Sequence, residues 1–222
     1  MADFKRSLSD DLIAKLQNEK LYTDKLLPDI REGAVLPAVR QDKISFYYKG
    51  GRLFTYNKSG FETHIKYCVI PKSGSNYIKE PDLKGITIAA SFYDQYKEIK
   101  TRCELYSGGE ANAVSALYKG SCLSDSRVIF LDTEIALYTN SDKDRIDILL
   151  YKESRKLCFC EAKLFSNPEL WAHENQKPEV CTQVARYDDK IDTHYDDILA
   201  QYTNYISILN KLFGTDLPAP TS

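Results

Sequence analysis

The sequence predicts an α/β protein whose core runs helix, three-stranded antiparallel meander, long helix, preceded by a β-rich N-terminal appendage. Three observations carry that prediction. Between residues 92 and 117 apolar side chains recur at alternating steps of four and three, the period of a buried helix face. From Arg127 to Lys163 the period drops to two over three runs separated by short polar turns. From about Val180 to Phe213 the helical period returns. The boundaries these shifts set are 1–91 for the N-terminal region, 92–214 for the core and 215–222 for a loose tail.

Ser9-Asp10-Asp11 supplies a cap for a short first helix that turns Leu12, Ile13, Leu16 and Leu21 inward. Pro28 and Gly33 punctuate the next stretch. KISFYYK, RLFTYN and FETHIKYCVI then read as a three-stranded meander, with Gly50-Gly51 as its first tight turn. Pro71 to Gly85 reads as a loop. Aromatic and basic residues interleave through this meander. That composition suits base stacking and tracking of a phosphate backbone, and equally a small aromatic core rimmed by solubilising lysines. Arg52, Lys49, Lys43 and Lys58 are its candidate nucleic-acid contacts.

Phe92, Tyr96, Ile99, Cys103, Tyr106, Glu110, Ala113 and Leu117 trace one helical face, which Ser107-Gly108-Gly109 divides into two helices. Glu110 is a carboxylate on that apolar face. It is either functional or the far half of a capping box with Ser107. RVIFLDTEIALY is a strand placing Asp132 and Glu134 on one face, and Asn140-Ser141-Asp142 is a turn. RIDILLYKESRKLCFCEAK holds two more strands. Asp147 lies on the first, and period two sets Glu161 and Lys163 beside Leu157 and Phe159 on the second. The competing reading is an ordinary salt-bridged strand end. Against it, Glu161 follows the apolar run LCFC, and a carboxylate buried there is costly without a task. On the last helical stretch Val184, Tyr187, Ile191, Tyr195, Ile198, Tyr202, Ile206, Leu209 and Phe213 form the inner stripe, with Gln183 one turn from Tyr187.

Composition narrows the class. With 43% hydrophobic and 28% charged residues the chain is globular. No apolar run approaches the ~20 residues of a bilayer span, and the opening MADFKRSLSDD lacks the apolar core of a secretory signal. A cytoplasmic protein without membrane contact is expected. The six cysteines are scattered, only Cys158 and Cys160 lying close, so they read as reduced thiols rather than zinc ligands. Residues 1–91 carry 15 Lys and Arg against 11 Asp and Glu, whereas 92–222 carry 15 against 21. A basic front and an acidic rear suit a phosphate-gripping surface beside a cation site.

In order, the core presents Glu110 or Glu134, then Asp147, then Glu161-x-Lys163, then Gln183-x-x-x-Tyr187, twenty residues beyond Lys163. This set resembles the PD-(D/E)XK nuclease superfamily, and within it the RecB-like branch with its Gln-x-x-x-Tyr helix. The resemblance spans roughly residues 92–210 and does not reach the N-terminal meander. Ile146 stands where the family pattern has proline. The resemblance implies a restriction-endonuclease-like core, a mixed sheet flanked by helices, and a Mg²⁺-dependent nuclease for which Mn²⁺ substitutes. DNA is favoured over RNA as substrate, in restriction, repair or phage defence. Asp147, Glu161 and the Ala162 carbonyl would hold the metal, Lys163 would act beside it, and Gln183 and Tyr187 would face the site. Glu110, or else Glu134, would hold a metal-bound water. A homodimer or a partner such as an ATPase fits the same analogy. The rival readings are a non-catalytic nucleic-acid-binding scaffold on this fold and an RNA-cleaving toxin.

Overall fold

The computed structural model describes residues 4–68, 77–80, 91–121, 123, 127–138, 145–172 and 176–221. Cys122, Val69-Ile70, the Asn140-Ser141-Asp142 turn and most of the 71–85 loop lie outside the described residues. The protein is a mixed α/β structure with one five-stranded and one three-stranded sheet. Ser9 caps α1 (Asp10–Gln17) by accepting the Leu12 amide, and Leu12, Ile13 and Leu16 are buried beneath it. A π-helical turn leads without a break into α2 (Leu27–Arg31), which holds Pro28 in its first turn.

The first sheet runs β1 (Val35–Arg40), β2 (Lys43–Tyr48), β3 (Gly51–Asn57), β4 (Gly60–His64) and β5 (Tyr77–Lys79), each antiparallel to the next. The expected three strands are therefore five. VLPAVR hides β1 because five of its six residues are buried, which leaves no alternation to read. Its Pro37 is tolerated because β1 is an edge strand. The third predicted run stops at His64, whose Nδ1 accepts the Lys66 amide and starts a 3-10 turn. The tight turn also sits one residue earlier than expected. Lys49 (φ 51°) and Gly50 (φ 80°) take the two left-handed positions, and Gly51 already belongs to β3. A β-carbon on Gly50 would collide with Ala111, so this hairpin tip rests against the fourth helix.

The second sheet is β6 (Val128–Ile135), β7 (Ile146–Lys152) and β8 (Leu157–Cys160), again antiparallel throughout. The expected mixed sheet is thus replaced, among the described residues, by two antiparallel ones. Helices α3 (Tyr96–Leu105) and α4 (Gly109–Ser115) break where Ser107-Gly108-Gly109 predicts. Phe92, Tyr96, Ile99 and Cys103 are buried, but Tyr106, at the C-terminal cap of α3, is exposed. Beyond the break the phase is reset, so that Val114 and Tyr118 turn inward while Ala113 and Leu117 are exposed. The single long helix is in fact α5 (Glu179–Thr193) and α6 (Tyr195–Phe213), parted at His194 (φ −119°, ψ 23°). Val184 and Tyr195, assigned to its inner stripe, are exposed: Tyr195 opens α6 just past the break, and α5, which holds Val184, buries only Tyr187. Among the described residues no helix is long and apolar enough to cross a membrane.

One buried cluster runs from Phe4 through α1, β1–β4 and α3 into β6, β7 and α6, crossing residue 91 without interruption. The two sheets meet where β1 lies beside β6. At that joint Asp132 is fully buried. Its carboxylate accepts Arg6 Nη2 at 3.0 Å, Arg40 Nη1 at 2.8 Å, Tyr202 Oη at 3.0 Å and the Thr133 amide at 2.8 Å. Burial opposes the Arg40 charge, but Asp132 outweighs it and holds the guanidinium firmly protonated. Arg40 Nη2 also donates to the Thr133 carbonyl at 2.6 Å, and Tyr205 Oη donates to the Leu131 carbonyl at 2.7 Å. Asp132 and Glu134 do not share a face as expected. A register shift between Phe130 and Asp132 and a left-handed Glu134 (φ 53°) turn the first into the joint and the second toward a cleft.

Candidate active site

The cleft, about 210 Å³, opens between α4 and the ends of β6, β7 and β8. Glu110, Glu134, Asp147 and Ala162 line it, with Thr133, Tyr118 and the Gly50 hairpin tip. Four of the residues singled out in the sequence therefore meet on one surface, although 52 positions separate the first from the last. Thr133 Oγ1 donates to the Asp147 carbonyl at 2.7 Å and ties β6 to β7 at this level.

Glu161, Lys163, Gln183 and Tyr187 form a second group behind the cleft. The two groups join where Asp147 Oδ2 accepts the Ala162 amide at 2.9 Å. Lys163 Nζ lies 3.0 Å from Glu161 Oε1 and 2.8 Å from Glu169 Oε2. Tyr187, buried on α5, donates to the Arg145 carbonyl at 2.8 Å and receives the Gln183 amide at 2.7 Å. Gln183 also lies near enough to favour the Glu161 anion, but its donated bond goes to Tyr187. Glu161 Oε2 is left buried with no hydrogen-bond partner, in a side chain only 4% exposed.

The electrostatics come from this packing. Burial, and then the neighbouring Asp147, push the Glu161 carboxyl up to about 7, against the relief that Lys163 and Gln183 supply. Burial also raises Asp147, opposed by the Ala162 amide. For Lys163 burial pulls the other way, yet bonds to Glu169 and Glu161 raise it overall, so the ammonium persists far above neutral pH. Glu110 is lowered: burial opposes its charge, but Asn167, the Leu164 amide and Lys163 together outweigh that.

Glu110 is not half of a capping box. Ser107 Oγ donates back to the Cys103 carbonyl, and the N-cap of α4 is Gly108, which offers no side-chain cap. Instead Glu110 Oε1 accepts the Leu164 amide at 2.8 Å and Asn167 Nδ2 at 3.0 Å, pinning the loop after Lys163. Glu134 pairs with Arg145 at 3.3 Å. Both candidates for the upstream glutamate thus line the cleft in different roles.

A groove of about 530 Å³ adjoins the cleft and shares Gly50 and Glu134 with it. Arg52, Lys66, His64 and Arg145 line it together with Tyr47, Tyr67 and Tyr77. Arg52 lines this groove, packed on the Tyr77 ring. Lys49 turns instead toward α3, 4.0 Å from Glu104. Lys43 opens β2 and Lys58 sits in the β3–β4 turn, both at the hairpin end away from the Lys49-Gly50 tip. Lys66, His64, Arg145, Asn167 and Glu169 belong to the site although no motif marks them. Lys66 is visible in the sequence only as one of several basic residues, and Asn167 and Glu169 sit in an aperiodic stretch.

Among the described residues no three His, Cys, Asp or Glu side chains form a ready-made metal cage. The donor set still fits Mg²⁺ or Mn²⁺. These ions take hard oxygen ligands and need only one or two carboxylates, the remainder being water and substrate phosphate. An unpartnered buried Glu161 oxygen beside the half-buried Asp147, whose charge burial opposes, is the kind of donor such an ion relieves. No protein-family model matches the chain, and no curated protein or solved structure matches it.

Proposed function

We propose that the protein is a metal-dependent nuclease hydrolysing phosphodiester bonds, DNA in first place, on a PD-(D/E)XK-like core. The observation that carries this reading is Glu161. A carboxylate with one oxygen salt-bridged to Lys163 and the other buried without a partner is expensive in a fold that has no use for it. Asp147, Glu161 and the Ala162 carbonyl would hold the divalent ion. When bound, that ion supplies charge neutralisation at a phosphate and acidifies a water.

The chain's own residues divide the remaining work. Lys163 stays protonated across neutral pH, so it serves as a fixed positive charge for a phosphate oxygen and not as a proton acceptor. Glu161 titrates near neutrality and changes charge as a cation arrives. Gln183 and Tyr187 fix the orientation of this corner through the Arg145 carbonyl. Arg52, Lys66 and Arg145 supply the positive wall on which a phosphate backbone would lie.

Cleavage of single-stranded DNA, duplex DNA and RNA, measured with Mg²⁺, Mn²⁺ or EDTA, tests the reading. Metal-dependent cutting is expected, falling about a hundredfold or more in Glu161→Gln and Asp147→Asn. Cutting that survives both substitutions would sink it. Nucleic-acid binding without cutting, and with no metal-induced rise in melting temperature, would favour the non-catalytic scaffold.

A further inference from the structure

We propose that Phe165 and Trp171 form a base-stacking clasp that makes unpaired, single-stranded nucleic acid the substrate of this site. The inference rests on the nuclease reading above and narrows its substrate class. Phe165 is 82% exposed and Trp171 48% exposed, and their rings meet edge to face at 5.2 Å. An edge-to-face pair leaves the face of one ring open to a third ring. Leu164, 41% exposed, extends the same apolar patch.

The loop that carries these rings is not slack. The Leu164 amide and Asn167 Nδ2 both donate to Glu110 Oε1, and Asn167 Oδ1 accepts the Glu169 amide at 3.0 Å. Glu169 in turn holds Lys163, and the Trp171 amide donates to the Pro168 carbonyl at 3.0 Å. The residues that position Glu110 and Lys163 therefore also hold two aromatic rings out into water. Anchoring of this kind removes the entropy that a mobile aromatic loses on contact, so the rings are prepared for a partner.

The position of the rings identifies that partner. They stand two and eight residues beyond Lys163, on the loop that Glu110, a lining residue of the cleft, holds in place. A chain whose phosphate lies in the cleft at Asp147 therefore brings its neighbouring nucleotides onto them. The groove of Arg52, Lys66 and Arg145 leaves the same cleft at its Gly50 and Glu134 edge, giving the backbone a positively charged path. Bases of a duplex are stacked on one another and offer no free face. Unpaired bases offer one each, and stacking on aromatic side chains tolerates any sequence.

Trp171 is the single tryptophan of the chain, which turns the proposal into a direct optical measurement. The full-length protein is titrated in EDTA, where nothing is cut, with a thymidine oligonucleotide, a uridine oligonucleotide and a blunt DNA duplex. Tryptophan emission and the anisotropy of a label on each nucleic acid are followed together. Saturable quenching by an unpaired strand is expected, with duplex binding at least about tenfold weaker, and the thymidine and uridine arms separate DNA from RNA. Phe165→Ala, at a solvent-exposed position, should weaken single-strand binding about tenfold without moving the melting temperature. Strand binding that leaves Trp171 emission and Phe165→Ala affinity unchanged would overturn the clasp while the nuclease reading stood, as would equal binding of duplex. Emission that instead tracks protein concentration and sedimentation mass would overturn it too, giving the patch to a second copy of the chain. Absence of any nucleic-acid binding would remove both readings.

Discussion

Two acidic clusters are mounted on the same three-stranded sheet, and they are built in opposite ways. Asp132 on β6 is fully buried, yet its carboxylate accepts two guanidinium groups, a tyrosine hydroxyl and a backbone amide. Asp147 and Glu161, one and two strands away, share one ammonium and one amide, and Glu161 Oε2 has no hydrogen-bond donor. The Asp132 carboxylate is satisfied within the protein, although Arg6 Nε beside it finds no acceptor. In the second cluster, a carboxylate oxygen itself goes without a donor. Burial alone does not mark a functional carboxylate, and the Asp132 joint shows that the fold can satisfy one fully.

That contrast can be broken at several points. The largest effect belongs to Asp132→Ala, which leaves Arg6 and Arg40 buried without a counter-charge. A loss of about 3–5 kcal/mol in urea unfolding is expected, by the usual cost of halving a buried ion pair. A loss below about 1 kcal/mol would show that water or repacking satisfies the arginines, and the joint would no longer count as structural.

Glu161→Gln is expected to act with the opposite sign on stability. The folded protein holds the Glu161 proton up to about pH 7, whereas the unfolded chain releases it near 4.5. Between those values the native state binds more protons, so stability falls as pH rises through the window and the contribution is gone above it. Unfolding free energy measured from about pH 4 to 8 should therefore slope downward in the wild type and flatten in the variant. At about pH 8 the variant should match or exceed the wild type, and a variant markedly less stable there would make Glu161 a structural residue. Saturating Mg²⁺ should shrink the slope in the wild type alone, because cation binding displaces the same proton.

Much of this arrangement is legible in the sequence, and the losses have physical causes. The order Glu110, Asp147, Glu161-x-Lys163, Gln183-x-x-x-Tyr187 picks out residues that the fold gathers into a cleft and the network behind it. β2 and β3 are visible through their aromatic and β-branched runs between glycine-containing turns, although four consecutive residues of each are buried. β1 escapes because Pro37 sits inside its buried run, and the α5–α6 break escapes because His194 interrupts the helix without proline or glycine. Alternation pairs Asp132 with Glu134 because it cannot register a bulge or a left-handed residue. Glu110 matches a capping box, a local pattern, whereas its partners lie 54 and 57 positions away. Composition alone marks the basic candidates, and it cannot foresee that Arg52 lines the groove while Lys43 and Lys58 lie at the opposite end of the hairpin.

Two smaller effects sharpen the comparison. Glu110→Gln removes charge from the bonds that anchor the 164–169 loop and should cost about 1 kcal/mol. Faster proteolytic nicking within that loop would report it, and an unchanged nicking rate would detach Glu110 from the loop's order. Arg52→Ala should reduce by about one the salt dependence of nucleic-acid binding, read as the slope of log affinity against log salt. Lys43→Ala and Lys58→Ala should leave that slope in place, and a drop in either would extend the binding surface to the far end of the hairpin.

The break at His194 has a kinetic consequence. α6 sinks seven residues into the core, whereas α5, which carries Gln183, buries only Tyr187. His194 lies flat on Tyr138 with ring centroids 3.7 Å apart, so the two helices part at a fixed pivot. Amide hydrogens of α5 should then exchange through local openings far cheaper than global unfolding, while those of α6 wait for the whole molecule. A ligand seated against Glu161 and Lys163 would slow the α5 amides first. The corner proposed to hold the chemistry would thus also be the corner whose breathing reports a bound ligand.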